Sequence, residues 1–189
     1  MCQEIRLSRA DEGPAILEII NDAAEAYRGL IPLECWHEPY MSTAELVSEV
    51  AEGVVFWVLE RDNELMGVMG LQDKGGVDLI RHAYVRTRHR REGIGSELLR
   101  RVEAQSQKPI LIGTWAAATW AIDFYRAHGY EVTSESVKTA LLQRYWTVPE
   151  RQMATSVVLV KGDLASVERA VTVDVSERCN PRMQIRASG

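Results

Sequence analysis

Three β-rich runs follow one another between Val54 and Val85: VVFWVLE, LMGVMGLQD and VDLIRHAYV, separated by the turn sequences RDNE and KGG. Valine, aromatic and leucine-rich runs suit a pleated, half-buried surface, and connections this short join neighbouring strands as hairpins. The segment therefore predicts an antiparallel meander, and the rest of the chain must supply the layers that cover it.

Flanking patterns supply those layers. Ile5 and Leu7 begin a short alternating strand, and Gly13-Pro14 opens a helix whose Ile16, Ile19, Ile20, Ala23 and Tyr27 share one face. An aromatic-rich, proline-containing loop follows and ends at Ser42, which with Glu45 forms a capping box for a second helix through Glu52. Beyond the meander, a helix from about Gly93 carries Ile94, Leu98, Leu99 and Val102 on its apolar side, and PILIGTWA is a buried strand. Thr119 is placed to cap a helix through His128, YEVT resumes as a strand, SVKTALLQRYW is helical until Pro149 stops it, and ATSVVLVK is a last strand. Residues 1–161 read as one domain and residues 162–189 as a C-terminal extension whose pattern weakens.

Composition excludes several classes. With 189 residues, a net charge of −5 and 46% hydrophobic residues, the chain has the balance of a single soluble domain. The first residues, MCQEIRLSRADEGP, carry charge where a signal peptide needs an apolar core, and no apolar run approaches the ~20 residues of a membrane span. A cytoplasmic location without membrane partner is expected. Cys2, Cys35 and Cys179 lack paired spacing and read as reduced thiols, and Cys35 with His37 is too few ligands for a metal site.

Against this acidic background, residues 86–101 hold six Arg and two Glu. No aromatics interleave them in the manner of a nucleic-acid surface, so no nucleic-acid partner is expected. Arg90-Arg91-Glu92-Gly93-Ile94-Gly95-Ser96 joins a strand to a helix. Alternate glycines let backbone approach a ligand, the first helical turn has free amides, and the two arginines add charge, so the turn suits a small polyanion such as a pyrophosphate. The Lys-Ser/Thr of a P-loop and the third glycine of a dinucleotide fold are missing. Arg86 and Arg88 are open between reaching the anion and steering it, and Arg100 and Arg101 read as a solvated face.

Arg90-x-x-Gly93-x-Gly95 after HAYV resembles the acyl-CoA signature of the GCN5-related N-acetyltransferase (GNAT) family, and AIDFYRAHGYEV, Ala121 to Val132, resembles that family's later helix-to-strand motif. The resemblance covers about Ile5 to Lys161. It implies an α/β (α+β) GNAT fold: a central mixed, largely antiparallel sheet, splayed in a V between strands 4 and 5 and flanked by helices. It further implies an acetyl-CoA co-substrate, no metal and a primary amine acceptor on a small molecule or peptide, and it allows a homodimer, the state of many family members. By position in the family, Ala83, Tyr84 and Val85 follow the pantetheine and Arg90, Arg91, Glu92, Gly93, Ile94, Gly95 and Ser96 the pyrophosphate. Tyr125 matches the tyrosine that protonates the departing thiolate, and His82 is the candidate base if its strand turns it inward. Trp36, Trp115, Trp120 and Tyr145 are candidate walls of the acceptor pocket, with Trp115, at the end of the second splayed strand, favoured over their reading as core. Where the family commonly carries an asparagine on the pantetheine, this chain has Ala118, with Thr119 as a substitute. That departure leaves a non-catalytic acyl-CoA-binding or regulatory module as the alternative to an acyltransferase.

Overall fold

A computed structural model describes residues 3–167 and Arg169. Its elements run β1 (Gln3–Leu7), α1 (Gly13–Ala24), α2 (Thr43–Ala51), β2 (Val54–Arg61), β3 (Glu64–Asp73), β4 (Asp78–Val85), α3 (Ile94–Glu103), β5 (Ile110–Trp115), α4 (Thr119–Ala127), β6 (Glu131–Val132), α5 (Glu135–Tyr145), α6 (Glu150–Ala154) and β7 (Ser156–Lys161). The sheet order is β1-β2-β3-β4-β5-β7-β6, antiparallel everywhere except β4 with β5. The expected mixed, largely antiparallel sheet is thus observed.

The meander closes as its turns dictate. Asp62 and Asn63, at φ 50° and 65°, make the tight β2–β3 connection, a conformation that short polar side chains tolerate. The capping box of Ser42 and Glu45 is present at α2. Two end signals differ from expectation. Ala118, not Thr119, is the residue before α4, and no side chain caps that helix. Pro149 does not stop α5, which ends at Tyr145; it precedes α6, a five-residue helix the sequence pattern did not reveal because one turn is too short to show a period.

Helices cover both faces of the sheet. On one, α1 and α2 pack Ile16, Ile19, Ile20 and Leu46 against Phe56, Val58 and Val68. On the other, Ile94, Leu98, Leu99 and Val102 of α3 and Tyr125 of α4 pack against Trp57, Met69 and Ile80. A third cluster joins α5 to β5 and β7, and includes Val167 from the start of the C-terminal extension. Helix α3 sits close because β3 offers it Gly67: a Cβ there would come within 3.0 Å of Ile94 and 3.1 Å of Leu98.

Edge strand β1 is tied to the start of α1 by Arg6, which bonds the Glu12 carboxylate through both Nη1 and Nη2 and also pairs with Glu60 on β2. The Arg6 hydrogen bond outweighs burial and holds Glu12 down at about 2, against an ordinary 4.5. Because the folded value is depressed, this stabilisation is fully present above pH 4.5 and lost as pH falls toward 2. Glu12→Gln is expected to cost about 1–2 kcal/mol at neutral pH and to flatten the acid limb of stability. Urea midpoints measured across that pH range check both.

Candidate active site

Strands β4 and β5 pair only through Asp78–Ile80 and Ile110–Ile112, and then part. Each is held on its other side: β5 pairs with β7 along its whole length, and β4 with β3 up to Val85. The gap between them opens into a cavity of about 700 Å³. It is reached from both faces of the sheet. Ala23, Ala26 and Tyr27 line it from the α1 side, Phe124 and Tyr125 from the α4 side, and Ala83, Tyr84 and Val85 along β4.

A bulge shapes the β4 wall. Val68 pairs with Tyr84 and Gly70 with Arg81, so His82 and Ala83 together oppose Met69, and His82 has φ 48°. The extra residue puts Arg81 and His82 on the same face, toward α2. There Arg81 bonds Gln72 (3.0 Å) and pairs with Glu49, while His82 Nε2 stands 3.3 Å from Glu49 Oε2 without hydrogen-bond alignment. Burial opposes ionisation of Glu49, but the His82 imidazole and the Arg81 guanidinium prevail and hold its carboxyl below the usual range. His82 is not among the residues lining the cavity. The bulge settles the question of strand parity against an inward-facing imidazole.

The glycine turn also borders the cavity. Gly93 takes φ 83° just before α3, where no side chain caps the helix, so the amides of its first turn are free for a ligand. Arg91 is also left-handed, at φ 67°. Arg90, Arg91, Gly93, Ile94, Gly95 and Ser96 all line the cavity, and Arg90 Nη2 is anchored on the Ala23 carbonyl at 2.9 Å. Glu92 does not line it: its carboxylate turns to Arg61 (2.7 Å) and His89 (2.9 Å). Arg86 is taken up by Glu18 at 3.0 Å and Arg88 by Glu64, whereas among the described residues Arg90 and Arg91 form no ion pair. Arg101 lies 4.6 Å over the Trp57 ring.

Tyr125 is 6% exposed and its hydroxyl has no hydrogen-bond partner among the described residues. Burial, helped by the neighbouring Tyr27, pushes its phenol far up, so it keeps its proton at any physiological pH. Trp115 is buried beside Ile31 and Ala118 and donates from Nε1 to Tyr40 Oη at 3.2 Å; Trp36 packs on Tyr40 with its own Nε1 buried and unpartnered. Both stand behind the cavity, and Thr119 is exposed outside it. Lining residues without a site role in the sequence pattern are chiefly Ala23, Ala26 and Tyr27; Ala23 and Tyr27 read there as core positions on the apolar face of the first helix.

Among the described residues no group of three or more His, Cys, Asp or Glu is placed to hold a metal, and no helix is long and apolar enough to cross a membrane. Cys35 is a free, partly buried thiol; Cys2, Cys179 and most of the C-terminal extension lie outside the described residues.

Residues 52–132 match the family model of the acetyltransferase (GNAT) domain. The matched segment contains both the Arg90–Gly95 and the Ala121–Val132 motifs. The fold resembles solved GNAT structures. The PaiA N-acetyltransferase of Thermoplasma acidophilum, in complex with coenzyme A, superimposes with a TM-score of 0.65 at 18% identity, over 85% of this chain and 99% of that one. The ribosomal-protein-S18-alanine N-acetyltransferase of Escherichia coli gives 0.60 at 14%, over 86% and 98%. The N-acetylglutamate synthase of Neisseria gonorrhoeae, in complex with coenzyme A and N-acetyl-glutamate, gives 0.58 at 20%, over 85% of this chain and 35% of that one. No curated protein matches the chain.

The free amides and the two arginines would hold a pyrophosphate, the unpaired β4 edge would take the amides of a pantetheine, and Tyr125 carries a protonated phenol. Arg90→Ala is expected to weaken coenzyme A binding by about tenfold or more, the loss of a charge-assisted contact, while Arg101→Ala on the outer face changes it by less than about threefold. Isothermal calorimetry reads both, and equal effects would count against the cradle.

Proposed function

We propose that the protein is an acetyl-CoA-dependent N-acetyltransferase acting in the cytoplasm on a primary amine of a small molecule or peptide. The observation that carries this reading is that one cavity is lined both by the uncapped α3 terminus with Arg90 and Arg91 and by Tyr125. Acetyl-CoA would supply an acyl group already activated toward amines.

The chain's own residues would do the rest. Gly93 to Ser96 and the two arginines hold the phosphates, and the β4 edge at Ala83, Tyr84 and Val85 aligns the pantetheine, so that the thioester is fixed before the amine arrives. The bulge leaves the backbone at Ala83 and Tyr84 without β5 pairing, which makes an N–H there available to a developing negative oxygen. As the amine nitrogen bonds the carbonyl carbon and the C–S bond breaks, Tyr125, neutral at physiological pH, gives its phenolic proton to the sulfur and is reprotonated from solvent. The amine must arrive neutral. No imidazole or carboxylate other than His89, which is bonded to Glu92, lines the cavity, so the proton lost by the amine leaves through solvent or the acceptor's own surroundings.

A thiol-release assay with acetyl-CoA and a panel of amines tests this. Turnover is expected, with Tyr125→Phe lowering kcat by about 10- to 1,000-fold while coenzyme A affinity stays close to wild type. His82→Ala is expected to act chiefly on stability. Tight coenzyme A binding with no turnover on any amine would favour a binding module instead, a reading to which Ala118 in the asparagine position lends weight.

A further inference from the structure

The segment that joins β4 to the glycine turn is fastened to the C-terminal half of α1. Arg86 reaches the Glu18 carboxylate at 3.0 and 3.2 Å, and Asp22 Oδ2 accepts the Thr87 N–H at 2.6 Å. The Thr87 hydroxyl donates to the Asp22 carbonyl at 3.3 Å, and Arg90 Nη2 to the Ala23 carbonyl at 2.9 Å. The last carbonyls of a helix lack intrahelical partners, so α1 supplies acceptors where this segment supplies donors. Of these contacts, the Asp22 carboxylate alone takes hold of the segment's backbone. Thr87–His89 form a single 3-10 turn in which the His89 N–H bonds the Arg86 carbonyl and the Arg90 N–H the Thr87 carbonyl. The Thr87 N–H stands ahead of that pattern, and its partner is Asp22, from 65 residues earlier in the chain. A charge-assisted bond to a backbone N–H fixes the path of the chain, and three residues further on that path delivers Arg90 to the cavity.

We infer that Asp22 is a positioning residue for donor binding: its carboxylate oxygen, by holding the Thr87 N–H, sets the turn that presents Arg90 and Arg91 to the phosphates. The inference rests on the reading of this cavity as an acyl-CoA site. Charge alone argues the other way. Glu18 is offset by Arg86, whereas Asp22 forms no ion pair among the described residues, so a negative charge stands beside a turn that otherwise attracts an anion. Coulomb repulsion would make its removal favour phosphate binding. Positioning and charge therefore predict opposite signs for the same substitution, and a carboxamide separates them. Asp22→Asn discards the charge and keeps an oxygen that can accept the Thr87 N–H, while Asp22→Ala discards both.

Calorimetry with coenzyme A, in the absence of any amine, reads the sign without relying on turnover. Asp22→Ala is expected to bind coenzyme A about five- to tenfold more weakly than wild type. Asp22→Asn should bind it as tightly as wild type or up to about threefold more tightly. Amide hydrogen exchange, followed by NMR on the protein without coenzyme A, reads the latch itself: the Thr87 N–H should exchange at least about tenfold faster in Asp22→Ala than in wild type and stay protected in Asp22→Asn. Thermal melts report whether Asp22→Ala is folded; if it is not, the exchange of the wild-type Thr87 amide and the affinity of Asp22→Asn carry the test. A folded Asp22→Ala that binds coenzyme A as well as wild type or better overturns the positioning role, as does an Asp22→Asn as weak as Asp22→Ala, or an unprotected Thr87 amide in the wild type. Failure of the wild type to bind coenzyme A while Thr87 is protected through Asp22 overturns the acyl-CoA reading instead, and leaves the latch as a feature of the fold.

Discussion

The site depends on an interruption of backbone pairing. Between β4 and β5 the parallel ladder lasts for three residue pairs, after which the facing edges have no strand to bond. Unpaired backbone donors and acceptors inside a protein are costly unless something satisfies them, and an extended ligand carrying amides of its own is suited to do so. The gap persists because each strand is anchored elsewhere, β5 by its full-length pairing with β7 and β4 by β3. Closing it would require one of those ladders to break.

Charge is distributed so that the gap receives one kind of ligand. Of the arginines before α3, Arg86 and Arg88 are neutralised by Glu18 and Glu64, and the carboxylate of Glu92 is drawn off to Arg61 and His89. What remains facing the cavity is Arg90, Arg91 and the positive end of an uncapped helix. The rest of the lining is largely apolar and aromatic, with phenols held neutral by burial. Positive charge and neutral aromatic rings thus share one cavity.

Much of this was legible in the linear chain. The meander, the α2 capping box, the glycine turn and the Phe124-Tyr125 motif are written in short-range patterns: alternation, turn residues, and spacing along one element. Local chemistry is sufficient for these, since a left-handed residue or a helix start requires particular side chains whatever lies around it. The motif residues lining the cavity, Arg90 to Gly95 apart from Glu92, and Tyr125, were found in that way.

Long-range packing decided the remainder. Whether His82 faces the gap or α2 turned on one inserted residue in β4, stabilised by Glu49 from a helix more than thirty residues earlier in the chain. Which of the candidate tryptophans borders the cavity was also decided by packing: the favoured Trp115 and Trp36 are spent on Tyr40, and Trp120 is the one that lines it. Tyr27 reads in sequence as one more apolar position of an amphipathic helix, and borders the cavity because its turn meets α4 through the open sheet. Sequence by itself determined the elements and the glycine turn, because those follow from neighbours in the chain. Tertiary structure alone decided which aromatic and titratable groups face the cavity, because that depends on a strand register and on contacts between opposite faces of the sheet.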